Sequence, residues 1–130
     1  MTPRIRTCTP AIISGRRRKA AQFSDAFAIV LEFADEPGEV ADACATLAVH
    51  AGIAAADVIC CVRLGIHHQG ENHSDAVALL AQVNKANSKH LQTLLDLKTM
   101  AGYSHEPLTL ASLKRASRAM DALLQAALKA

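Results

Sequence analysis

The stretch 52–80, GIAAADVICCVRLGIHHQGENHSDAVALL, decides how the rest of the chain is read. Its first part, 53–64, holds two charged side chains, Asp57 and Arg63, among Ala, Val, Ile, Leu and Cys. A segment apolar on nearly every face belongs in an interior, and twelve residues are too few to cross a bilayer. It therefore predicts the buried central helix of a bundle. After Arg63 comes a glycine-bounded turn carrying His67, His68 and His73, and Ala76 and Leu80 then resume helical spacing. Most of the titratable chemistry of the chain gathers at that junction.

Outward from this centre, composition sets bounds. The chain has 130 residues, enough for one domain with its own core, and is 51% hydrophobic but only 3% aromatic. An interior filled by Ala, Leu, Val and Ile favours closely packed helices. A formal charge of +2 is too small to argue for nucleic-acid binding as a bulk property. Cys8, Cys44, Cys60 and Cys61 show no CxxC spacing and are expected as buried small hydrophobes in a reducing, cytoplasmic setting. No apolar run long enough for a membrane span and no secretory h-region are read from the chain.

Residues 1–18 carry prolines, a glycine and the cations Arg16, Arg17 and Arg18, and are expected as an irregular basic arm. A single helical domain should then fill 19–130. Ala20, Phe23, Phe27, Val30 and Ala34 predict a helix over 19–34, stopped by Asp35, Glu36, Pro37 and Gly38. A second helix is predicted over 39–50, with Gly52 as its left-handed cap or a bend into the central helix. A long helical region begins near Asn72 or Ser74 and runs to about Met100, with a kink or break expected around Asn84, Asn87 and Ser88. The last helix is predicted over 110–128. No segment alternates with strand period, so the predicted fold is all-α, an antiparallel bundle of four to five helices.

Two residues carry the functional expectation. Arg63 holds a permanent charge that forks onto phosphate oxygens, and His68, five positions on, can take or give a proton near neutral pH. Together they suit metal-independent cleavage of RNA, the histidine acting on the 2′-hydroxyl or the leaving oxygen and the arginine on charge developing at phosphorus. The alternative is a solvated loop in which Arg63 caps a helix end. Asp57, an acid among alanines and branched side chains, must find a donor: His50 if the helix runs through Gly52, otherwise a group on a neighbouring helix. No HExxH or CxxC accompanies the histidines, so no metal and no cofactor are expected, and His67 is expected to face solvent.

In order and spacing, the blocks AVHAGIAAADVICC (48–61), GENHSDAVALL (70–80) and LKTMAGY (97–103), with the helix after them, resemble the HEPN family of small helical bundles. The family occurs in prokaryotic toxin and antitoxin modules and beside nucleotidyltransferases. The resemblance implies a HEPN-like bundle forming a homodimer, with Arg63 and His68 matching the nuclease signature of an arginine, four to six residues and a histidine. It implies an RNA substrate and a nucleotidyltransferase-like antitoxin partner. Leu64 follows Arg63 where nuclease members usually carry a polar residue, so a second implied function stands beside cleavage: a non-catalytic module that binds such a partner or a nucleotide. His73 matches the family histidine that precedes the next helix and is expected as an additional site residue or as a structural donor into the core, with Asp57 as its acceptor.

Overall fold

The first helix begins at Pro10, well upstream of the predicted start. The computed structural model describes residues 4–130, and residues 1–3 of the predicted arm lie outside the described residues. Helix α1 spans Pro10–Phe33, and Thr9 caps it by accepting a hydrogen bond on Oγ1 from the Ile12 N–H at 3.2 Å. A proline at the first helical position is favourable because its missing N–H has no intrahelical partner there. The predicted irregular arm is therefore corrected. A Thr-Pro helix start lies inside it, and the apolar period extends upstream through Ile12 and Ile13, both half-buried.

Before that cap, Ile5–Thr7 forms β1. It pairs antiparallel with β2, Ile66–His68, in a register that sets Arg6 opposite His67. This small sheet is a second correction, since three-residue strands are too short to show an alternating pattern in sequence.

Helix α2 spans Ala41–Leu64 as one continuous element, preceded by a 3-10 turn at Pro37–Val40. The predicted break at Gly52 does not occur. A Cβ built on Gly52 would stand 2.2 Å from Leu94 Cδ1 and 3.3 Å from Leu123 Cδ1. The glycine is thus a point where three helices approach, and the left-handed cap falls instead at Gly65, with φ of 75°. Among the described residues the segment Pro37–Leu64 is the one helix long and apolar enough to cross a membrane, yet 67% of its apolar window is buried inside the protein. It is the core helix.

Around α2 pack α1, α4 (Lys85–Tyr103) and α5 (Leu110–Lys129), while the shorter α3, His73–Ala81, leans on α4 and β2. The Asn72 side chain accepts from the Asp75 N–H at 3.3 Å, and Asn84 accepts from the Asn87 N–H at 3.0 Å. The expected break near Asn84 is therefore real. An amide side chain that caps a new helix N-terminus competes well against continuing the old helix. The Asp42 carboxylate accepts from the Leu108 N–H at 3.0 Å, fixing the α4–α5 connection against the start of α2. Leu80, Leu91, Leu94, Leu123, Val49 and Val58 fill the centre. The architecture is an all-helical bundle with a minute sheet.

The cysteines divide in two. Cys8 and Cys61 form a disulfide with Cα atoms 5.5 Å apart, which corrects the expectation of four reduced thiols. Cys44 and Cys60 are free and buried. Burial pushes both thiols up, Cys60 to about 12 with the Asp57 charge adding to the effect. Because the thiolate is the reactive form, a disulfide-exchange reagent such as 5,5′-dithiobis(2-nitrobenzoate) is expected to find no thiol in the native oxidised protein and two after denaturation. Rapid labelling of a native thiol would contradict this placement.

Candidate functional site

A cavity of about 610 Å³ opens where α1, α2, β2, α3 and α4 converge. Each element contributes through its own periodicity. Ile53, Ala56 and Asp57 lie on one face of α2, and Leu91, Leu95 and Lys98 recur at spacings of four and three on α4. Arg16 enters from α1, His67 and His68 from β2, and His73 is the first residue of α3. The left-handed Gly65 makes this convergence possible by turning the chain from α2 straight into β2.

Asp57 finds its donor in Arg16. The guanidinium Nη2 stands 2.8 Å from Oδ2, with the two side chains 26% and 15% exposed. Neither His50 nor His73 makes the expected bond to Asp57. His50 stacks instead on Phe23 of α1, ring centroids 5.2 Å apart. Burial pushes the Asp57 carboxyl above its ordinary value, while Arg16, His67 and His68 draw it back down. Burial prevails because only one direct charge-assisted contact compensates the lost hydration.

The histidines differ from one another. His67 is buried at 8% exposure, not solvent-facing as expected. Its Nδ1 lies 3.2 Å from the His68 carbonyl oxygen, which can only accept, so Nδ1 carries the proton in that contact. In the neutral ring Nε2 is then a bare acceptor. Among the described residues it has no partner, and neither has the Arg16 Nε–H, a buried donor on the same cavity wall. His68 is half-buried and lines the cavity. His73 is pushed below the ordinary imidazole value, first by burial and then by the charges of Lys98 and His68, with Glu71 opposing.

Arg63 does not join this group. It occupies the last turn of α2 with an exposed side chain and is not among the residues lining the cavity. Of the residues singled out in sequence, the cavity gathers His68, His73 and Asp57. It adds Arg16, Lys98 and His67. The signal for Arg16 was present in the Thr-Pro start and the upstream apolar period, which turn a basic run into a helical face. Lys98 was marked only by its spacing of seven from Leu91, and nothing local distinguished His67 from His68.

Chemically, the cavity offers two permanent cations, Arg16 and Lys98, two carboxylates, Asp57 and Glu71, and three imidazoles. Among the described residues no group of three or more His, Cys, Asp or Glu side chains is arranged to hold a metal ion. With the histidines neutral the formal charges balance, and each protonated imidazole tips the cavity positive. No protein-family model matches the chain, and no curated protein matches it.

Proposed function

We propose that this chain is a HEPN-like bundle that binds a phosphate-bearing ligand, a nucleotide or an RNA segment, in the cavity between α1, α2, β2, α3 and α4. One observation carries the reading: Arg16, Lys98, His67, His68 and His73 line a single half-open space, and Arg63 lies outside it. About 610 Å³ suits a small molecule of nucleotide size. Lys98 supplies a point charge, the imidazoles supply directional donors, and the leucines of α4 form an apolar wall for a base or sugar. This favours the binding-module function over a nuclease complete in one subunit, and it leaves room for a nucleotidyltransferase-like protein as partner.

A second reading has its own support. Arg63 stays exposed five residues before His68, a placement that leaves it available to a second copy. In a homodimer the arginine and histidine of two subunits would frame one phosphodiester and cleave RNA without a metal, as the toxin of a two-component module.

Titration calorimetry with nucleoside monophosphates and diphosphates tests the first reading. Binding is expected and should strengthen as pH falls from 7 to 5, because an anion favours the protonated ring of His73, whose native value is pushed below the ordinary imidazole value. Lys98→Ala should weaken it by about tenfold, roughly 1.4 kcal/mol for one lost charge-assisted contact. Absence of binding by any of these ligands at either pH would end this proposal. Purified RNA incubated with wild type, Arg63→Ala and His68→Ala tests the second. Cleavage lost in both variants supports the nuclease, and intact RNA with wild type removes it.

A further inference from the structure

The bond between Cys8 and Cys61 ties the residue after β1 to the last turns of α2, four positions before the Gly65 turn that leads into β2. All three residues of β1 are exposed and Cys8 is only partly buried, whereas Cys61 is buried on α2, so the bond fastens a surface segment to the core helix. What the bond does hold is a strap. The Cys8 N–H donates to the Gly65 carbonyl at 2.9 Å, the Gln69 N–H donates to the Arg4 carbonyl at 2.8 Å, and between them β1 runs beside β2 with Arg6 opposite His67. The Arg4 side chain packs beside Gly70, 3.4 Å from where a Cβ would stand. The segment so clamped, 66–70, supplies His67, His68, Gln69 and Gly70 to the cavity.

A two-stranded ladder of three residues is marginal in water without further support. The cross-link spans 53 positions of sequence and holds the strands together by restricting the freedom of the arm. The two ends of the bond differ in access. Cys8 is partly exposed, whereas Cys61 is 4% exposed, so an incoming thiolate meets the Cys8 sulfur first.

We propose that Cys8–Cys61 is a redox-controlled latch on the cavity: a dithiol reductant opens it, frees β1 from β2 and loosens the His67–His68 wall while the bundle stays folded. The balance is two electrons. One thiolate of the reductant attacks Cys8 Sγ and the S–S bond breaks with Cys61 leaving as thiolate. The second reductant thiol then resolves the mixed disulfide, so the reductant ends oxidised to a disulfide and Cys8 and Cys61 each end as a thiol. The latch depends on the geometry of the strap and not on what the cavity binds.

Hydrogen–deuterium exchange on the full chain tests it in three arms: oxidised, reduced with dithiothreitol, and Cys8→Ser. In the oxidised protein, segments 5–8 and 66–69 are expected to be protected. Reduction and Cys8→Ser should both remove that protection, while α2, α4 and α5 keep theirs and the far-ultraviolet circular dichroism is unchanged. Retained protection of 66–69 after reduction overturns the proposal. Loss of protection throughout the bundle also overturns it, since the bond would then be a structural staple. Four titratable thiols in the denatured, unreduced protein would do so as well, by showing that the bond does not form.

Discussion

Gly52→Val is expected to lower stability by about 3 kcal/mol, among the largest effects any single residue of this chain should give. The first added carbon would meet Leu94 Cδ1 at 2.2 Å, and both Leu94 and Leu123 are fully buried and have no free space to yield into. A close-packed interior resists added volume by forcing side chains off their rotamers or helices apart. The gain in helix propensity on replacing glycine, a few tenths of a kcal/mol for valine, is too small to offset this. Gly15 provides the control. It also lies inside a helix, α1, but a Cβ there meets nothing within 4 Å, so Gly15→Ala should stabilise by about 1 kcal/mol. Urea unfolding of the two variants reads both signs. Equal behaviour would mean that α4 and α5 do not close over the middle of α2 as described.

Arg16→Ala should cost about 2 to 3 kcal/mol at neutral pH. This is less than for a fully buried ion pair, because the guanidinium is 26% exposed and water screens part of the interaction. The loss comes from leaving the Asp57 carboxylate without its one charged donor. Its dependence on pH follows from the direction of the Asp57 shift. A carboxyl whose native value is raised binds its proton more tightly folded than unfolded, so this group favours the native state increasingly as pH falls. Removing Arg16 raises the native value further. The penalty is therefore complete above that native value and shrinks as pH falls through it towards the ordinary carboxylate range, where a protonated Asp57 needs no cation. Asp57→Asn introduced into Arg16→Ala should recover part of the stability at pH 7. Thermal unfolding from pH 7 to 4 measures the trend, and a penalty constant over that range would show that the ion pair is not what Arg16 contributes.

Both expectations turn on residues whose role sequence reading assigned differently. Gly52 was expected as a cap or bend because glycine ends helices by tolerating positive φ, and here the residue that uses that freedom is Gly65. From sequence the two uses of glycine, a turn and a close approach, look the same. Only the positions of Leu94 and Leu123, more than forty residues away, distinguish them. Arg16 was expected on an irregular basic arm because successive arginines and nearby prolines resemble one. Its fellow Arg17 is likewise engaged, donating from Nη1 to the Ala127 carbonyl at the end of α5 at 3.3 Å.

What the sequence by itself determined is the part fixed by local periodicity and capping: a helical bundle around a nearly all-apolar helix, a turn rich in histidine after Arg63, a helix beginning near Asn72 or Ser74, a kink or break around Asn84 and a last helix from about Leu110. Each follows from side chains within a few residues of one another, where the physics of caps and amphipathic faces is short-ranged. The tertiary structure alone decided the rest. It brought Arg16 to Asp57 across 41 positions and Cys8 to Cys61 across 53, turned His67 inward and left Arg63 out of the cavity. Such pairings depend on how helices cross and which faces they bury, and a residue carries no local mark of the distant neighbour it will meet.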